Sequence, residues 1–67
     1  MNIVLNNRPE SFNENNLTIA ELLVLKRFTF RMLVIKINGQ LIKKDQYGDA
    51  QIHEGDDVMV MHLVSGG

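Results

Sequence analysis

One strong helix signal in a chain of short apolar segments is the feature that most constrains the fold of this sequence. Thr18 and Glu21 have the spacing of a capping box, in which each side chain hydrogen-bonds to the backbone N–H of the other residue. Ile19, Leu22 and Leu23 then recur at the i, i+3 and i+4 spacing of one apolar helix face. A single helix covers only one face of a sheet, so the other face must contact water or a partner.

The segments on both sides of this helix predict β-strands. Asn38-Gly39 between two apolar runs is the strongest hairpin signal, because both residues tolerate positive φ angles. An N-terminal hairpin is also predicted, with residues 6–10 as its turn and Pro9 inside that turn. The predicted strands are residues 2–6, 11–12, 32–37, 40–42, 51–52 and 57–64.

These elements predict an α+β fold, with one helix across one face of a small mixed sheet of four or five strands. The 67 residues fit a single domain that spans residues 1–67. Residues 64–67 are expected to form a flexible tail that ends in two glycines. The net charge of −1 argues against a nucleic-acid-binding surface.

Composition and length argue against several further classes of protein. The absence of cysteine rules out a disulfide scaffold, a cysteine-ligated metal or iron–sulfur site and a thiol nucleophile. His53 and His62 lack metal-ligand spacing, so no metal site is expected. No apolar run approaches the roughly 18–20 residues that span a membrane, and with no targeting segment we expect a cytoplasmic protein. The short length leaves little room for an enclosed pocket, which favours a carrier or binding module over an enzyme.

The last predicted strand carries two apolar rows, because alternate side chains of a strand point to opposite faces. One row contains Val58, Val60 and His62, and the other contains Met59, Met61 and Leu63. One of these rows is expected to face water or a partner, and methionine is common at surfaces that bind several partners.

Basic residues suggest a further, weaker hypothesis. Lys26 and Arg27 are predicted to lie in the last helical turn, where cations complement the helix dipole. The pair Lys43-Lys44 and the pair of Arg27 and Arg31 could dock an acidic partner. Solvated surface charge is the simpler interpretation of both pairs.

The tail carries the most specific chemical signal. Gly66 and Gly67 have no side chains, so the chain end could pass through a narrow active-site channel. The group presented there is a carboxylate, which is ionised at neutral pH and is a poor electrophile. Activation as an acyl-adenylate would allow a sulfur or nitrogen nucleophile to attack its carbonyl. The reactive group is then the chain end itself, and no catalytic side chain is needed.

Three segments resemble the sulfur carrier protein of thiamine biosynthesis, the ThiS family of ubiquitin-like β-grasp proteins. Leu17-Thr18-Ile19-Ala20-Glu21-Leu22-Leu23 is similar to the family's helix, and the segment from Ile37 to Tyr47 is similar to its hairpin. The end of the chain, from Gly55-Asp56-Asp57-Val58 to Val64-Ser65-Gly66-Gly67, is similar to the family's last strand and V-x-G-G tail. Lys43 replaces a common proline and Tyr47 a common tryptophan, which affects local packing only.

The resemblance implies that the chain is acted on rather than being an enzyme. An adenylating enzyme of the ubiquitin-activating type, similar to ThiF, would use ATP to activate Gly67. Sulfur from a persulfide would then leave a thiocarboxylate on Gly67, which would donate sulfur to thiazole synthase, similar to ThiG. No cofactor would be bound by the chain itself. The residues implied to contact these partners are Met59, Met61, Leu63, Val64 and Ser65.

Three alternatives remain open from the sequence. The small subunit of molybdopterin synthase is also a β-grasp sulfur carrier, but consecutive prolines usually precede its tail, where this chain has Met61-His62-Leu63. A ubiquitin-like modifier would be joined through Gly67 to nitrogen instead of sulfur. A passive interaction domain would not use its glycines at all.

Overall fold

One helix crosses one face of a five-stranded mixed sheet in the computed structural model, which describes residues 1–29 and 31–63. The elements are β1 (Asn2–Leu5), β2 (Arg8–Ser11), β3 (Leu17–Thr18), α1 (Ile19–Leu25), β4 (Leu33–Ile37), β5 (Gln40–Ile42), a 3-10 turn (Lys44–Gln46), β6 (Gln51–Ile52) and β7 (Asp57–His62). The sheet order is β2-β1-β7-β4-β5, with β1 and β7 parallel and the other neighbouring strands antiparallel. This confirms the predicted α+β class and the β-grasp fold that the resemblance implied.

The core lies between α1 and one face of this sheet. Ile19 and Leu22 of α1 are fully buried against Ile35 of β4 and Val58 of β7, and Leu23 is half-buried beside them. The predicted apolar helix face is therefore the face that packs on the sheet. Burial of each such side chain contributes about 1.5–3 kcal/mol. The other members of the buried cluster are Ile3, Leu5, Ile52 and Val60.

Both tight hairpins use positive φ angles at their two turn residues. Asn38 and Gly39 have φ angles of 51° and 82°, as the Asn-Gly signal predicted. The first turn contains only Asn6 and Asn7, with φ angles of 52° and 67°. The prediction that Pro9 lies in this turn was wrong, because two asparagines already supply the left-handed conformation that the turn requires. Pro9 lies in the edge strand β2, where a residue without an N–H is tolerated.

The capping box forms at the predicted position. The Glu21 N–H donates to Thr18 Oγ1 (3.1 Å), and the Thr18 N–H donates to Glu21 Oε1 (2.8 Å). Ile19 is the first residue of α1, and its N–H is satisfied by a tertiary contact: it donates to the carbonyl of Ala50 (3.0 Å). The short strand β3 also pairs with β6 in a second, two-stranded sheet that the sequence did not predict. These contacts fix where α1 begins.

The helix ends at Leu25, before the position that the sequence predicted. The N–H groups of Arg27 and Phe28 donate to the carbonyls of Val24 (3.2 Å) and Leu23 (2.9 Å), which is the Schellman pattern. Arg27 occupies the left-handed position of this motif, with a φ angle of 56°. Glycine is the usual residue there, so the sequence carried no stop signal.

Lys26 and Arg27 therefore lie outside the last helical turn, and that prediction was wrong. Lys26 is the C-cap residue, and its ammonium group forms an ion pair with Glu10 of β2. The two side chains are about one-third exposed, so the pair is worth at most about 1 kcal/mol. It ties the end of the helix to the edge of the sheet.

Candidate functional site

The predicted tail follows β7, the central strand of the sheet. β7 ends at His62, before the predicted limit of residue 64, and the Leu63 N–H then donates to the Met32 carbonyl (2.9 Å). The tail residues Val64, Ser65, Gly66 and Gly67 lie outside the described residues. The structure thus defines the end of the sheet to which the tail is attached.

The two apolar rows of β7 lie on opposite faces of the sheet. Val58 and Val60 are 0% and 8% exposed and belong to the core beneath α1. On the other row, Met59 is half-buried, whereas Met61 and Leu63 are 38% and 47% exposed. The predicted alternation is confirmed, and the structure shows that the row of Val58 and Val60 is the buried one. His62 continues the buried row beyond the core and is exposed.

The strands beside β7 extend the accessible row into a larger apolar surface. Met61 pairs with Val34 of β4, and Met59 pairs with Lys36, which in turn pairs with Leu41 of β5. On the other side of β7, Val4 of β1 is 39% exposed and lies in register with Asp57. We call the surface formed by Val4, Val34, Leu41, Met59, Met61 and Leu63 the open sheet face. No helix covers this face in the part of the chain that the structure describes.

A groove of about 590 Å³ opens at the end of the sheet to which the tail is attached. Its apolar lining includes Leu23, Phe28, Leu33, Leu41, Tyr47 and Leu63. Its charged lining residues are Arg31, Lys43 and Lys44. We call this the tail-end groove. The structure thus brings Arg31 and the Lys43-Lys44 pair to one site, whereas Arg27 is not part of the lining.

The opposite end of β7 is acidic and has a structural role. Asp56 accepts from the Asn38 side-chain amide (3.0 Å) and from the His53 N–H (2.8 Å), and the Asp57 N–H donates to Asn38 Oδ1 (2.8 Å). Glu54 accepts from the backbone N–H of β1. These bonds stabilise the turn at residues 54–55 that precedes β7. Among residues 1–29 and 31–63, no group of three or more His, Asp or Glu side chains is placed to hold a metal ion.

Comparisons with known proteins identify the family. The model of the ThiS family matches residues 3–67, which is nearly the whole chain. The chain belongs to the ThiS family. The match confirms the resemblance drawn from the sequence, and it makes the chain a small sulfur carrier of the ThiS type. No significant match was found among curated proteins.

Solved structures agree with this assignment. The crystal structure of the thiamine biosynthesis protein ThiS from Geobacter metallireducens is 25% identical, with a TM-score of 0.87 and full coverage of both chains. A solution structure of a thiamine biosynthesis protein from the same organism has a TM-score of 0.75. At 21% identity, with all of this chain and 88% of that chain covered, it supports the fold alone. No helix in the described residues is long and apolar enough to span a membrane.

The tail-end groove is the feature that sequence reasoning did not assemble. The basic pairs lie in separate segments of the sequence, and no local pattern joins them. One signal was available in the register of the β4–β5 hairpin. Ile35 pairs with Ile42, so extending the pairing by two residues would set Leu33 opposite Lys44 and bring the Lys43-Lys44 pair to the start of β4. The approach of Phe28 and Tyr47 depends on the helix end and the 3-10 turn, which local patterns did not locate.

Proposed function

We propose that the Gly67 carboxylate of this ThiS-family chain is adenylated and converted to a thiocarboxylate that supplies sulfur for formation of the thiazole ring in thiamine biosynthesis. The observation that carries the proposal is that the family match extends through Gly66 and Gly67. The chain is then a carrier and co-substrate, not an enzyme. It binds no cofactor, and its partner enzyme uses the ATP. We place the reaction in the cytoplasm.

The chemistry requires three steps. The Gly67 carboxylate attacks the α-phosphorus of ATP and releases pyrophosphate, which leaves an acyl-adenylate. The terminal sulfur of a persulfide then attacks the carbonyl and displaces AMP. A second thiol cleaves the resulting sulfur–sulfur bond and is itself oxidised to a disulfide, so that one sulfur remains on Gly67.

The tail sequence suits this use. Glycine at positions 66 and 67 removes side chains from the segment that must enter the active site of the partner. The chain contains no cysteine that could compete for sulfur or form a disulfide with the donor. These properties favour sulfur transfer on the terminus over any chemistry at a side chain.

The open sheet face supplies a surface for the two proposed partners, an adenylyltransferase similar to ThiF and a thiazole synthase similar to ThiG. Met59 and Met61 lie on the strand that carries the tail, and Leu63 follows it directly, so a partner that holds Gly67 is close to them. We propose that Val64 and Ser65 contact the partner next to these residues. Methionine side chains repack easily, which suits one surface that must bind two enzymes in turn.

The decisive experiment is mass spectrometry of the C-terminal fragment after incubation with the host's adenylating enzyme, ATP and a sulfur donor. Intact mass alone is insufficient, because each of the four methionines can gain an oxygen, and this matches the nominal change from oxygen to sulfur. Sulfur located on Gly67, and absent when ATP is omitted, supports the proposal. An unmodified Gly67 beside an enzyme that is active on a known substrate would refute it.

The acceptor is tested separately. Thiocarboxylate-bearing protein is mixed with thiazole synthase or with the large subunit of molybdopterin synthase. Transfer of sulfur only to the thiazole product supports the thiamine assignment. Recovery of the chain linked to lysine side chains in lysate would instead indicate a protein modifier.

A further inference from the structure

The tail-end groove combines an apolar lining with charge of one sign. Arg31, Lys43 and Lys44 are exposed at the groove, and no carboxylate is among the described residues that line it. The whole chain contains eight acidic and seven basic residues, so this arrangement opposes the chain's overall charge. A groove with this lining fits a ligand that is both apolar and negatively charged.

The position of the groove limits which molecule can occupy it. Leu63 lines the groove, and only four residues lead from it to Gly67. Four residues span at most about 14 Å when fully extended. Any enzyme that holds the Gly67 carboxylate in its active site must therefore come within about 14 Å of this end of the sheet, which brings its surface next to the groove.

We propose that the tail-end groove is a docking site for the enzyme that activates Gly67, and that this enzyme presents an apolar segment flanked by Asp or Glu side chains there. The identity of the enzyme rests on the proposed function. The groove adds an electrostatic contact to the apolar open sheet face. Opposite charges at the rim of an interface mainly raise the association rate and make it dependent on salt.

The test compares two pairs of charge reversals with the same change in net charge. K43E/K44E alters the groove, and R8E/R27E alters exposed residues outside it. Adenylate formation is followed by ATP–pyrophosphate exchange with the host's adenylating enzyme, at low and high salt. Melting temperatures from circular dichroism show that both variants are folded, and K43Q/K44Q replaces K43E/K44E if that variant is not.

We expect K43E/K44E to lower kcat/KM at low salt by about tenfold or more, through KM, with kcat unchanged at saturation. Its salt dependence is expected to be weaker than that of the wild-type protein. R8E/R27E is expected to change kcat/KM by less than about twofold. Equal losses in the two variants would mean that net charge, and not the groove, guides the encounter, which would overturn the proposal.

Two further outcomes separate this inference from the proposed function. If the wild-type tail is adenylated and K43E/K44E behaves as wild type, the groove is not a docking site, although the carrier function stands. If K43E/K44E raises the KM for ATP and not for the carrier, the groove binds nucleotide, which also overturns the proposal. If an active enzyme never adenylates the wild-type tail, the proposed function fails, and with it the partner assigned to the groove.

Discussion

The Asn6 side chain completes the hydrogen bonding between β1 and the strand that carries the tail. The Asn6 N–H donates to the Val58 carbonyl (2.9 Å), and the Val60 N–H donates to Asn6 Oδ1 (2.7 Å). In a continued parallel ladder, the Val60 N–H would donate to the backbone carbonyl of residue 6. Because Asn6 has a φ angle of 52°, the chain turns away, and its side-chain oxygen takes the place of that carbonyl.

Three substitutions separate the two contributions of Asn6. Asn6→Gly tolerates the backbone angle but leaves the N–H of the buried Val60 without its acceptor, which costs about 1–3 kcal/mol. Asn6→Ala loses the same bond and adds about 1–2 kcal/mol for a left-handed residue with a Cβ atom. Asn6→Asp keeps an oxygen acceptor and tolerates the angle, so we expect it to retain most of the stability.

These losses are large for a domain of 67 residues, whose total stability is expected to be roughly 3–10 kcal/mol. Urea denaturation followed by circular dichroism measures them, and each 1 kcal/mol lowers Tm by about 4–8 °C. Hydrogen exchange at the Val60 amide should accelerate in the Gly and Ala variants but not in Asn6→Asp. Equal stability of Asn6→Gly and wild type would refute the role of this hydrogen bond in holding β7.

Three other predictions follow from the fold and the proposed chemistry. Arg27→Gly removes the cost of a left-handed arginine and should raise Tm by about 2–8 °C, whereas Arg27→Ala should not; equal effects would mean that the side chain, not the φ angle, is responsible. Deletion of Gly67 or the change Gly66→Val should abolish adenylation in the pyrophosphate-exchange assay, and turnover of either variant would contradict the channel argument. Met59→Glu with Met61→Glu should lower kcat/KM by about tenfold while Tm falls by only a few degrees, and a collapse in stability would mean that the sheet faces are assigned backwards.

The parts of the fold that could be predicted are those whose sequence signal is local. The Thr18 capping box and the Asn38-Gly39 turn each depend on residues within four positions of one another, and the structure contains both. The two rows of β7 followed from strand geometry alone, since alternate side chains must point to opposite faces. Alternation alone did not decide which row is exposed; the resemblance implied the row of Met59 and Met61, and the structure places that row on the open sheet face.

The parts that could not be predicted depend on distant contacts or on residues in unusual roles. Arg27 ends the helix at a position where glycine is the common residue, so no local pattern signalled the end. Residues 51–52 were predicted to be extended and form β6, but β3 contains only two residues and exists because it pairs with this distant segment, which leaves no periodic pattern to detect. The tail-end groove likewise requires the helix end, the hairpin and the 3-10 turn to be placed together.

The central position of β7 suits this strand both to stability and to the partner binding that we propose. Backbone hydrogen bonds to β1 and β4 fix its path on both sides, and these bonds do not depend on the side chains of the open sheet face. Val58 and Val60 hold the strand against the core, so the side chains of Met59 and Met61 can repack against the surface of a proposed partner. The point at which the tail begins is therefore set by the core and the backbone ladder. A substitution on the open sheet face should alter which enzyme is bound while leaving the tail attached at the same place.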